Sequence, residues 1–179
     1  MATVLQVTGL ARSGTAFLST LLNLHPRAFS YHDIISDVDD WKGALAQAQE
    51  QFEFVGDCGT YQYLPGAVIE GSRKVFIDRD PESSRQAAEM AFGYDIPQKD
   101  YAKAVDASRV WIEKHQPLVV PFNDVWTVRG LTRIWSYCFQ ADTFPKSKVE
   151  QLLKMLIQRI NAEQAFGTSS LSNRVATLF

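Results

Sequence analysis

Residues 3 to 15, Thr3-Val-Leu-Gln-Val-Thr-Gly-Leu-Ala-Arg-Ser-Gly-Thr15, pass from an apolar run through two glycines into a hydrophobic segment. The pattern predicts a short buried strand, a glycine-bounded turn and a helix behind it. Gly9 and Gly14 let the backbone wrap closely around an anion. The helix opening at Gly14 turns unpaired N–H groups and the positive end of its dipole into the loop. A phosphate cradle built from Gly9, Ala11, Arg12, Ser13, Gly14, Thr15 and Ala16 is the expectation. The nucleotide-hydrolase version of such a loop ends in Lys and then Ser or Thr; the lysine reaches the terminal phosphates and the hydroxyl ligates magnesium. Here those positions hold Thr15 and Ala16. A methyl group binds no metal ion, so the pattern disfavours the usual magnesium-ATP chemistry and predicts no metal site. Arg12 is left as the cation of the loop.

The rest of the chain alternates strand-like and helix-like stretches, which points to a parallel sheet covered on both faces. Strands are expected near 3–8, 52–57, 73–78 and 117–122, and helices near 14–24, 41–51, 81–92, 98–115, 124–140 and 146–165. The predicted fold is a three-layer α/β/α domain of the P-loop type with four to five parallel strands. It occupies residues 1–166 as a single domain, followed by a tail over 167–179. At 179 residues and 46% hydrophobic content the chain can bury one good core. A net charge of −2 argues against a broad nucleic-acid footprint. No apolar run is long enough to span a bilayer, and no basic segment followed by a cleavable apolar stretch opens the chain, so a cytoplasmic location without membrane association is expected. Cys58 and Cys138 are far apart and show no metal-ligand spacing.

A second constellation is Lys74-Val-Phe-Ile-Asp-Arg-Asp-Pro-Glu-Ser-Ser84. A strand ending at Asp78 sets Arg79-Asp80-Pro81 at its C-terminal edge, where open parallel sheets bind ligands. Arginine there suits a phosphate, since its planar fork donates two charge-assisted hydrogen bonds.

Together these segments resemble the sulfotransferases. Gly9-Leu-Ala-Arg-Ser-Gly-Thr-Ala-Phe-Leu-Ser-Thr-Leu-Leu-Asn-Leu-His25-Pro26 is similar to the family's 5′-phosphosulfate loop and first helix, G-x-P-R-S-G-T-T-x-L-x-x-x-L-x-x-H-P. Arg79-Asp80-Pro81 resembles its R-[DN]-P motif for the 3′-phosphate. Val55-Gly-Asp-Cys-Gly-Thr60 and Leu118-Val-Val-Pro-Phe-Asn-Asp-Val125 are similar to its second and fourth strands. The resemblance implies a metal-independent transfer of a sulfuryl group from 3′-phosphoadenosine 5′-phosphosulfate (PAPS) to a hydroxyl on a small-molecule or peptide acceptor. It implies cofactor contacts from the loop, Arg79, Ser83, Ser84 and Arg174. The chain departs from the family at Ala16, at Cys58 in place of a lysine, at Ala87 in place of the serine that holds the 3′-phosphate, and in lacking the C-terminal R-K-G arm.

Sulfuryl transfer needs a cation on the bridging and leaving oxygens and a base for the acceptor proton. Arg12 is the candidate cation. Asp33 matches the position of a catalytic glutamate in tyrosylprotein sulfotransferases, and His32 is its neighbour with a side chain suited to proton transfer. His25 reads as structural. Tyr31, Tyr61, Tyr63 and Trp126 are candidates for the acceptor pocket, and a homo-oligomer is compatible with the sequence. Two alternatives stay open: a catalytically degenerate nucleotide-binding or interaction module of the same fold, and a P-loop kinase or hydrolase.

Overall fold

In a computed structural model of the chain, residues 2–60, 62–140 and 142–166 are described, with the last helix described by its backbone alone beyond residue 156. The chain divides into two compact units, Met1–Asp142 and Thr143–Phe179. The first carries a five-stranded parallel sheet with helices on both faces, a three-layer α/β/α fold. In the second, α7 runs over Lys146–Phe166.

The strands are β1 (Thr3–Gly9), β2 (Ala28–His32), β3 (Phe54–Thr60), β4 (Arg73–Asp78) and β5 (Leu118–Pro121), in the spatial order β2-β3-β1-β4-β5. Strand β1 is central, so the loop that follows it emerges mid-sheet, flanked by the ends of β3 and β4. Sandwiching the sheet explains the continuous burial of β1 and β3, where residues on both faces lose their water. Leu5, Val7, Val75 and Ile77 are almost fully buried. Helices α1 (Thr15–Leu22) and α6 (Val128–Phe139) pack on one face. On the other, α3 (Trp41–Gln49) covers Phe29, Tyr31 and Val55, while α4 (Pro81–Phe92) and α5 (Gln98–His115) cover Phe76. The short α2 spans Ile34–Asp37.

Local chemistry sets the boundaries. The Asp40 carboxylate accepts from the Gly43 N–H at 3.0 Å and starts α3. The Asp80 carboxylate accepts from the Ser83 N–H at 2.8 Å, and Pro81 follows it at the first helical position, where a missing N–H has no consequence.

Strand β2, the short α2 and the start of α6 differ from the sequence expectation. Strand β2 was not expected; residues 28–32 are a short edge strand paired with β3 alone. The Asn23 side chain donates to the Ser30 carbonyl at 2.8 Å and accepts from the Ser30 N–H at 2.7 Å, occupying the backbone groups that an edge strand otherwise leaves unpaired. The helix expected from 124 is instead a 3₁₀ turn over Phe122–Trp126 followed by α6, with Thr127 accepting from the Gly130 N–H at 3.0 Å at the break.

A polar row crosses the otherwise apolar sheet. Tyr31, Asp57, Gln6 and Lys74 are successive register partners on β2, β3, β1 and β4. Gln6 is fully buried; its amide donates to the Ala67 carbonyl at 2.8 Å and accepts from the Ile69 N–H at 3.2 Å. The Lys74 ammonium donates to the Ile69 carbonyl and the Ser72 hydroxyl, each at 3.0 Å, and burial pushes its pKa down. Loop residues 62–72 are thereby tied to the sheet by side chains that satisfy its backbone groups.

Candidate functional site

The β1–α1 loop is shaped by close approach. A Cβ on Gly9 would stand 2.9 Å from both the Ile77 carbonyl oxygen and the Ser13 Cβ, so only glycine lets the chain turn there. The Ser13 hydroxyl closes the turn by donating to the Leu10 carbonyl at 2.6 Å. Arg12 (φ 62) and Gly14 (φ 85) both adopt the left-handed conformation on either side of Ser13. That alternation turns backbone N–H groups toward one concavity, the geometry of an anion-binding nest. Gly14 occupies the cap position of α1 without a side-chain bond, so the N–H groups of Thr15, Ala16 and Phe17 face outward with no intrahelical acceptor. The Arg12 and Ala16 side chains are exposed, whereas Ala11, Ser13 and Thr15 are buried.

Three other strand ends converge on this loop. From the end of β4, the Arg79 guanidinium donates to the Arg12 carbonyl and lies over the Phe122 ring, 4.3 Å from its centroid. Partial burial lowers the Arg79 pKa; the nearby Tyr101 opposes this and Arg12 adds to it. From α4, the Ser84 hydroxyl donates to the Ala11 carbonyl and accepts from the Tyr101 hydroxyl at 2.6 Å. Ser84 therefore clamps the loop from below. The Ser83 hydroxyl donates to the Asp80 carboxylate at 2.7 Å. Both hydroxyls expected to meet a second phosphate are thus spent within the chain. Arg174 lies outside the described residues, as does Tyr61.

From the end of β2, His32 Nε2 stands 3.4 Å from Thr15 Oγ1 and 3.2 Å from Asp33 Oδ2. Asp33 is itself left-handed (φ 58), and its Oδ1 accepts from the Thr60 N–H at 2.8 Å. Burial raises the Asp33 pKa, while His32 and the Thr60 N–H pull it back. Asp33 therefore bridges the ends of β2 and β3, and the exposed His32 is the member of the pair that reaches Thr15. Gly59 makes room for this: a Cβ there would stand 2.7 Å from Asp33 Oδ1.

Asp57, one turn of the pleat below, is fully buried. Its carboxylate accepts from the N–H groups of Ile34 (3.2 Å) and Ile35 (3.4 Å) and from the Gln62 amide at 2.6 Å. Burial drives its pKa up to about 6, against those backbone N–H groups and with the help of the negative charges of Asp33 and Asp37. Gln62 Oε1 is buried with no hydrogen-bond partner.

Of the residues expected to line an acceptor pocket, Tyr63 is buried in the core beside Phe76, and the Tyr31 hydroxyl donates to the Ala44 carbonyl at 3.4 Å under α3. Trp126 is exposed, and sequence reasoning missed its surroundings. Its ring packs 5.2 Å from Phe17 and 5.8 Å from Phe122, both centroid to centroid. Phe17 reads in the sequence as an ordinary core residue of α1, and nothing in its spacing announces the partnership. His25 is structural: it is buried, stacks on Phe139 at 4.3 Å and holds Asp142 at 3.0 Å.

No protein-family model matches the chain, and no curated protein matches it. Among solved structures it is similar to a gluconokinase from Sinorhizobium meliloti 1021, with 14% identity and a TM-score of 0.46 over 79% of this chain and 98% of that one. These findings correct the sulfotransferase expectation. The PAPS-dependent activity and PAPS as cofactor are not carried further: no family model of any kind supports them, and a solved structure to which the chain is similar is titled a gluconokinase. The physical reason is visible in the loop. A nest of N–H groups with a nearby arginine recognises any tetrahedral anion, and the side chains that would have selected a 3′-phosphate, Ser83 and Ser84, are bonded elsewhere. Among the described residues, no helix is long and apolar enough to cross a membrane.

Proposed function

We propose that this chain is a P-loop nucleotide-binding domain that handles a phosphoryl group in the manner of a kinase, with a nucleoside triphosphate seated in the Gly9–Thr15 loop. The observation that supports this most is the pairing of left-handed Arg12 and Gly14 in front of an α1 whose first N–H groups have no acceptor, on the central strand of the sheet. The exposed Arg12 side chain is the cation that reaches the terminal phosphates. Arg79 holds the loop through the Arg12 carbonyl and adds a second positive charge beside it.

A magnesium ion held by the protein does not fit the residues present. Ala16 offers a methyl group where the ligating hydroxyl belongs, and the Asp57 oxygens are taken by Ile34, Ile35 and Gln62. Among the described residues, no group of three or more His, Cys, Asp or Glu is placed to hold a metal ion. Neutralisation of the phosphates therefore falls to Arg12, Arg79 and the backbone dipoles.

Calorimetric titration with ATP in the presence of a chelator tests the reading, followed by an assay for loss of the γ-phosphate. ATP should bind without added magnesium. Arg12→Ala should weaken it roughly ten- to a hundredfold, the worth of hydrogen bonds to a charged group. Absence of ATP binding refutes the proposal. A second reading, a binding module without turnover, is favoured by Ala16 in particular, and tight ATP binding with no phosphate released would select it.

A further inference from the structure

An aromatic cluster with one exposed member, Trp126, stands beside the loop. Trp126 is 39% exposed, while Trp111 and Trp135 are 3% and 2% exposed and belong to the core. An exposed tryptophan alone needs no explanation. This one is packed from two directions: Phe17 of α1 lies against it tilted by 32°, and Phe122 meets it edge-on at 82°. Phe122 in turn carries the Arg79 guanidinium on its face. The indole also abuts the phosphate loop, since a Cβ built on Gly14 would stand 3.4 Å from Trp126 Cζ2.

We infer that Trp126, braced by Phe17 and Phe122, is the shelf on which the nucleotide base stacks. The inference rests on the proposed function and adds the part of the ligand that it leaves open. An indole beside Gly14 lies within a nucleoside's reach of a phosphate held by that glycine's loop. Its aromatic partners fix its orientation, so little rotamer freedom is lost on binding. The contact is face to face with a π-system, and every base has such a face, so the shelf selects for ring area and not for a hydrogen-bonding edge. Purine nucleotides should bind more tightly than pyrimidine nucleotides, and adenine and guanine should differ little.

The test compares inorganic tripolyphosphate with ATP and CTP on the full chain, by calorimetry and by tryptophan fluorescence. Tripolyphosphate reports the loop alone, and the excess affinity of ATP reports the shelf. Stacking of one base corresponds to roughly five- to a hundredfold in affinity. ATP should exceed tripolyphosphate by that factor and quench the indole emission, which tripolyphosphate should not do. Trp126→Ala should bring ATP down to the affinity of tripolyphosphate and abolish the quench, while Trp126→Phe keeps most of the excess affinity. Circular dichroism of both variants checks that the fold is kept. If tripolyphosphate binds but ATP binds no tighter, or if Trp126→Ala weakens both ligands equally, the shelf is refuted and the loop stands. If neither ligand binds, the phosphate loop fails and the shelf falls with it.

Discussion

Asp57→Asn should gain stability relative to the unsubstituted chain as pH rises from 4.5 to 8. Asp57 is buried, with its pKa raised from 3.8 to about 6. A carboxyl whose folded-state pKa lies above its unfolded value holds its proton more tightly in the native state. Its contribution to stability is complete below the unfolded pKa and is lost as pH rises through the folded one. The window runs from 3.8 to about 6. A shift of about 2 units at 1.36 kcal/mol each is about 3 kcal/mol lost across the whole window. About 2 kcal/mol of that falls between pH 4.5 and pH 8. Asparagine removes the charge and keeps one oxygen, which accepts from the Ile34 N–H as Oδ1 does now, while its NH2 takes the place of the Oδ2 that accepts from the Ile35 N–H and the Gln62 amide. Its amide also supplies a donor for Gln62 Oε1 once that side chain turns over, and this oxygen now lacks one. Urea unfolding of both proteins at several pH values measures the effect, and subtracting the two curves cancels every other titrating group. The difference should widen by about 2 kcal/mol over that range. A difference that stays flat from pH 4.5 to 8 refutes the raised pKa, and one that narrows reverses its sign.

Three further substitutions probe the loop. Gly14→Ala forces an L-residue to φ 85, which costs about 1–2 kcal/mol, and urea unfolding together with ATP titration should show lower stability and weaker binding. Arg79→Ala removes the donor to the Arg12 carbonyl and the cation over Phe122, so calorimetry should give roughly ten- to a hundredfold weaker binding of ATP with little change in urea midpoint. Ala16→Ser restores a hydroxyl at the metal-ligating position, so ATP affinity should become stronger with magnesium than without it, whereas the unsubstituted chain should show little such dependence.

The local elements were legible in the sequence because their causes are local. Gly9 and Gly14 announce the β1–α1 loop, Asp80-Pro81 announces the start of α4, and Asp39-Asp40 announces α3, with the structure choosing Asp40 as the cap. Strand β2 was not legible: five residues that take their conformation from pairing with β3 and from the Asn23 amide carry no strong pattern of their own. The family resemblance went astray for a related reason. A glycine loop followed by an arginine at a strand end meets the requirements of anion binding in general, and the sequence does not say which anion. What decided the site was the tertiary structure, through contacts between residues remote along the chain. His32 meets Thr15, Asp33 bonds the Thr60 N–H, Arg79 reaches the Arg12 carbonyl, and Trp126 lies against Phe17 and Gly14. Local propensity dictates where strands and helices begin, because capping, turn geometry and apolar spacing act over a few residues. The order β2-β3-β1-β4-β5 is set by burial of the whole sheet, and that order brings the four strand ends around one loop.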